Sequence, residues 1–243
     1  MFTYKKIRKV WNKLPNIVKL LIQKNPLWAH HKKNICNWLT KRAEHNDVYD
    51  KDFFLRNEGM RIYSAQIMAE SIVAEFAPST VLDVGCGSGF LLSCLQSRSI
   101  AVEGLDYSDV ALDMCRLRGL NVTKFDLEKD IMVDSERFDL VISTEVAEHL
   151  PESSSDRYID LLCSAADNVM FTASTPGPGG IDHVNERPHS YWIEKFRARG
   201  FSCDTILSDK LRAGWKEQGV LSWYHENIMI FHKDKAQAKI HGL

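Results

Sequence analysis

The sequence predicts an α/β domain built on a doubly wound, mostly parallel sheet of seven strands, preceded by a basic helical N-terminal extension. Three observations carry that expectation. The 243 residues are 44% hydrophobic and 26% charged, enough apolar content for one sizeable core and too little for two. Beyond Pro78, short β-rich runs alternate with amphipathic stretches, as βαβ units require. The charge is also divided: residues 1–45 hold 11 of the 31 Lys and Arg but one of the 32 acids, Glu44. A near-neutral chain therefore has a strongly basic extension, 1–45, joined to an acidic domain, 46–243.

Within the extension, Ile7, Val10, Trp11 and Leu14 fall at helical spacing, basic residues take the other faces, and Pro15 and Pro26 break the run. Apolar positions from Ile62 to Phe76 predict a helix over Gly59 to Phe76, closed by Pro78. The alternation then predicts strand Val81 to Val84, helix Ser88 to Arg98, strand Ala101 to Leu105, helix Asp109 to Arg118 and strand Val122 to Phe125. It continues with strand Phe138 to Ser143, helix Ser154 to Ala166, strand Val169 to Ala173 and helix Ser190 to Arg199. Two late strands follow, near Phe201 to Leu207 and Glu226 to Phe231.

Composition excludes several classes. The chain is too apolar for disorder and too poor in Gly and Pro for a fibrous protein. No apolar run approaches the roughly 18 to 20 residues that cross a bilayer. Lys13, Pro15 and Lys19 interrupt what would be the apolar core of a signal peptide. Six cysteines without a CxxC pair read as reduced thiols in a cytoplasmic protein, with no structural zinc.

In a doubly wound sheet a ligand sits beyond the carboxyl ends of the strands, so the loops there hold the candidate site. The first, Val81-Leu82-Asp83-Val84-Gly85-Cys86-Gly87-Ser88-Gly89, runs from a strand through a glycine-rich turn into a helix. Phe90 stands where a dinucleotide fingerprint needs its third glycine, and no Lys-Ser or Lys-Thr completes a phosphate loop. Asp83 would orient the turn or face a cationic ligand. Tight packing alone can also require such a turn, and Asp83 or Asp139 can serve as a cap.

Val81 to Gly89 resembles motif I of the class I S-adenosylmethionine-dependent methyltransferases, which have a Rossmann-like sheet of this kind. Thr144 to Pro151 is similar to the segment after the fourth strand in small-molecule O- and N-methyltransferases, including the ubiquinone-biosynthesis type. Gly180 to Phe201 resembles a loop and helix in methyltransferases of glycan and secondary biosynthesis. The resemblance implies an enzyme of the EC 2.1.1 class using S-adenosyl-L-methionine. It implies that Asp106 binds the ribose hydroxyls, that Asp126 meets the adenine amino group and that Leu127 helps enclose the ring. It adds Asp83, Gly85, Cys86, Gly87, Gly89, Tyr107 and Thr144 to the cofactor set.

Methyl transfer needs alignment of donor and acceptor and removal of the acceptor's proton. His149 and His183 are the base candidates, with Glu145 beside them; in the family such residues also shape the pocket. Ser174 to Trp192 reads as an active-site lid. No HxxxH or similar spacing points to a metal. Ser143-Thr144-Glu145-Val146 replaces the motif of nucleic-acid base methylation, so nucleic acid is disfavoured and a small metabolite or sugar is the expected acceptor. The basic extension keeps two alternatives open, an RNA methyltransferase and a cofactor-binding module recruited to a membrane. Its expected place is cytoplasmic, with peripheral attachment to an anionic membrane surface as the use of residues 1–45.

Overall fold

The computed structural model describes residues 58–131, 137–177, 180 and 182–234; the basic extension lies outside them. Helix α1 (Glu58–Phe76) leads into β1 (Thr80–Val84), α2 (Phe90–Gln96), β2 (Ala101–Asp106), α3 (Asp109–Leu117) and β3 (Asn121–Lys124). β4 (Leu140–Thr144), α4 (Ser155–Ala165), β5 (Asn168–Thr172), α5 (His189–Arg197), β6 (Phe201–Cys203), α6 (Thr205–Glu217), α7 (Ser222–Asn227) and β7 (Met229–Lys233) complete the order. The seven strands form one sheet in the order β3-β2-β1-β4-β5-β7-β6. Six strands run in one direction, and β7 alone is reversed, antiparallel to both β5 and β6.

Strand side chains alternate between faces, and each face has its own core. Leu82, Val141, Val169 and Phe171 point toward α4 and α5, where Tyr158, Leu162, Trp192 and Phe196 are buried. Val81, Leu140, Ile142 and Met170 face the other layer, against Met68 and Ile72 of α1, Leu92 of α2 and Trp215 of α6. This two-sided burial is why the central strands read as continuous apolar runs. At the amino ends of the strands, Asp139 accepts hydrogen bonds from the Ser79 and Thr80 amides, so its role is the cap.

The late elements differ from the sequence reading. The strand expected over Phe201 to Leu207 ends at Cys203, because Asp204 accepts from the Leu207 amide at 2.8 Å and starts α6. Trp215 of that helix is buried, with its indole N–H donating to Ser71 of α1 at 2.9 Å. The strand expected from Glu226 begins at Met229, since Glu226 belongs to α7. Phe138, read as the start of the fourth strand, makes an isolated bridge to Ala166. Among the described residues no helix is long and apolar enough to cross a membrane.

Candidate active site

The carboxyl ends of β1, β2 and β4 open onto a cavity of about 500 Å³, bounded also by α1 and α7. That volume suits a nucleoside-sized ligand together with a small acceptor. Its floor is the turn after β1. The Gly85 and Cys86 amides donate to the Leu105 carbonyl at 2.7 and 3.0 Å, tying the turn to the end of β2. Gly85 has φ +80°, and a Cβ there would collide with Val146, so no larger residue keeps this approach. Gly89, expected at the cofactor, does not line the cavity; it precedes α2 in a left-handed conformation and packs against Leu120 and Cys115.

Asp106 ends β2 with its carboxylate fixed from both sides: the Gly87 amide donates to Oδ2 and the Ser108 amide to Oδ1, both at 2.8 Å. Ser108 in turn caps α3. A carboxylate accepts about four hydrogen bonds, and these two orient it. Tyr107 lines the wall nearby. After β3, Asp126 accepts from the Glu128 amide and pairs with Lys129 at 2.9 Å, and Leu127 adds apolar surface. Cys86 lies between loop and core; a hydrogen bond with the Cys115 thiol, then burial, raise its pKa, which makes it a packing residue and a poor nucleophile.

Asp83 is buried, and its Oδ1 has no hydrogen-bond partner. Burial, and then the neighbouring Asp106 charge, push its carboxyl up to about 7. Among the described residues, Asp83, Asp106, Asp126, Glu128, Glu145 and Glu148 line the cavity, against one Arg or Lys side chain, Arg61. Such a wall selects a ligand with a positive centre.

The turn after β4 builds the opposite end, next to Thr144. Glu145 has φ +56°, held by its amide donating to the Thr172 hydroxyl at 3.0 Å. Burial lifts its carboxyl to about 7, restrained by its polar neighbours Glu148, Thr172 and Asn227. His149 and His183 meet edge to face, centroids 4.8 Å apart. His149 Nδ1 lies 3.2 Å from the Asp182 carbonyl, and His183 Nδ1 lies 2.9 Å from the Glu186 carboxylate. The loop after β5 is thus pinned onto the turn after β4, with the Glu148 carbonyl accepting from the Val184 and Asn185 amides.

The fold therefore gathers His149, His183 and Glu145 at one end and all the expected cofactor residues except Gly89 along the rest. Sequence spacing does not reveal that Glu148, His149 and His183 bring potential ligand atoms within 4.8 Å of one another. Nor does it reveal Met68 of α1 or Trp223 and Tyr224 of α7 in the wall. Trp223 and Tyr224 lie just before the strand expected near Glu226, in a short helix that the sequence pattern did not mark.

Comparisons with known proteins bear on the fold and the family. Residues 66–161 match the family model described as methionine biosynthesis protein MetW. A ubiquinone biosynthesis O-methyltransferase from Alkalilimnicola ehrlichii is 37% identical over 120 residues, 46% of this chain and 44% of that protein. One from Saccharophagus degradans is 28% identical over 127 residues, 49% of each. The chain thus spans about half the length of these curated relatives. Among solved structures, a sugar N-methyltransferase from a Streptoalloteichus species aligns with a TM-score of 0.59 at 12% identity, over 76% of this chain and 93% of that one. An amino pentose methyltransferase from Micromonospora echinaspora, solved with S-adenosylmethionine bound, gives 0.56 at 14% identity, over 78% and 100%.

Proposed function

Because the described domain has the class I S-adenosylmethionine-dependent methyltransferase fold, we propose that the chain transfers a methyl group from S-adenosylmethionine to a hydroxyl or amine of a small metabolite or sugar. The observation that carries the reading is Asp106, a carboxylate oriented by two backbone amides at the end of β2, across the glycine turn from a buried, unpartnered Asp83 oxygen. Asp106 suits a vicinal diol, the Asp126 to Glu128 wall suits a flat ring bearing an amine, and the acidic cavity suits a cation. Gly85, Cys86, Gly87 and Tyr107 bound the space between them, and Thr144 closes it toward the acceptor. When bound, the cofactor supplies a methyl whose carbon–sulfur bond breaks as the acceptor's new bond to carbon forms, sulfur keeping the electron pair. His149, His183 and Glu145 hold the acceptor and take up its proton. The relatives named O-methyltransferases support a small acceptor.

Calorimetry with S-adenosylmethionine tests the reading. The full chain binds it, and Asp106→Ala weakens binding about ten- to a hundredfold, the worth of a lost charged hydrogen bond. Labelled cofactor with a metabolite extract then yields a methylated small molecule. A folded chain that binds no S-adenosylmethionine overturns the proposal.

A further inference from the structure

Asp126, Glu128 and Asp130 crowd three carboxylates into the five residues after Phe125. Unopposed, their mutual repulsion would open the loop. Its backbone closes part of it: the Lys129 and Asp130 amides donate to the Asp126 carbonyl at 2.9 and 2.7 Å, and the Phe125 amide donates to the Asp106 carbonyl at 2.9 Å. Lys129 pairs with Asp126, but its side chain is 77% exposed, so water weakens that constraint. Further support comes from Arg157, in the first turn of α4 and 30 residues beyond Leu127 in sequence.

Arg157 Nη2 donates to the Leu127 carbonyl at 3.1 Å, and Nη1 approaches the Lys129 carbonyl at 3.5 Å. The first contact matters more, because the Leu127 carbonyl and the Glu128 N–H belong to one planar peptide unit. That N–H donates to Asp126 Oδ1 at 3.0 Å. The guanidinium thus holds one end of the peptide and the carboxylate the other, each contact polarising the next. Turning this plane would move the Asp126 carboxylate and the Leu127 side chain together, and both line the cavity.

The helix gives Arg157 a fixed base. Ser143 donates its one hydroxyl proton to the Val84 carbonyl at 2.6 Å, so the buried Tyr158 hydroxyl, 2.5 Å away, is the donor to Ser143. These bonds tie α4 to the ends of β1 and β4. Arg157 therefore holds the loop after β3 at a set distance from the strand that carries the glycine turn.

We infer that Arg157 is a positioning residue for the methyl donor: through the Leu127–Glu128 peptide it sets the Asp126 carboxylate against the amine of the donor's base and so fixes a preference for adenine. This role rests on the proposed cofactor reading, in which Asp126 meets that amine. A lysine would not replace it, because an ammonium is a point charge, whereas a guanidinium is a rigid fork that can face two carbonyls at once. A side chain that acts through another in this way matters because small displacements of a bound group are costly.

Calorimetry on the full chain compares S-adenosylhomocysteine with S-inosylhomocysteine, whose base carries a carbonyl oxygen in place of the amine. Arg157→Ala, Arg157→Lys, Asp126→Ala and the double alanine variant are measured beside wild type, with thermal melts in parallel. Wild type should prefer the adenine compound by about tenfold or more, because the carbonyl oxygen would face a carboxylate. Arg157→Ala should lose about tenfold in affinity for the adenine compound and little for the other, which removes the preference. Arg157→Lys should fall between, and it decides the case if Arg157→Ala does not melt cooperatively. In the Asp126→Ala background the Arg157→Ala change should alter affinity little, since the two residues act as one unit. A residue that only holds the fold together would weaken both compounds alike and would add its loss to that of Asp126→Ala. Equal losses for the two compounds, or unchanged preference in every variant that folds, overturns the role of Arg157 and spares the cofactor reading. A folded wild-type chain that binds neither compound overturns both.

Discussion

Asp83 carries the electrostatics of the site in one side chain. Its folded pKa of about 7 lies above the unfolded value, so the folded state opposes its ionisation. The sign follows: the stability this group contributes is complete below about pH 4, falls as the pH rises toward 7 and is level above that. By linkage the loss is on the order of a few kcal/mol. A cationic ligand reverses the preference, because it favours the ionised form. S-adenosylmethionine affinity should therefore tighten from pH 5.5 to 8, and Asp83→Asn should flatten that slope. Glu145 titrates in the same range, so the difference between wild type and variant is the readout. Calorimetry giving the same slope for both proteins would rule out Asp83 as the cation's partner. The placement of Asp83 and Asp106 at the cavity was legible in sequence because chain spacing sets a strand end and its turn. Glu148 was not, since its burial and its meeting with His183 depend on a loop that packs from 33 residues away, through His149 and Asp182.

At the level of elements, the parallel strands were readable because each is buried on both faces and bounded by turn residues. The failures lie where one side chain outweighs the local pattern. Phe201 to Leu207 has strand-like alternation, but the Asp204 side chain stops the strand and starts α6, whose Trp215 is buried against α1. Removing that cap should cost about 1 kcal/mol, and a domain of this size should lose roughly 2 to 4 °C in Tm for Asp204→Ala. Asp204→Asn, which keeps an accepting oxygen, should recover most of the loss. Thermal melts in which the two variants are equally destabilised would show that the cap is not what sets this boundary.

For the whole molecule, the uneven charge is the feature sequence states and the described fold leaves open. Residues 1–45 hold ten more positive than negative charges, interleaved with Trp11, Trp28 and Trp38. We propose that they hold the protein reversibly at an anionic membrane surface. Co-sedimentation with vesicles compares the full chain with a truncation starting at Asp47, using phosphatidylcholine with and without anionic lipid. The full chain alone should sediment, with anionic lipid only, and progressively less as salt rises. Equal behaviour of the two chains would remove the membrane role and favour the acidic face of the chain's own domain as the extension's partner.

The strand order carries a consequence for how such a chain is made. Among the described strands β6 hydrogen-bonds only to β7, and β7 lies between β5 and β6 although it is the last of them in sequence. During synthesis, β1 to β5 can pair as they leave the ribosome, each against a neighbour already present. Phe201 to Cys203 must wait, and so must the open edge of β5, until Met229 to Lys233 emerges and slides between them. A translation product cut short before Met229 therefore lacks more than its final strand: it exposes one unpaired edge and one orphaned strand, the two features that invite association with other nascent chains.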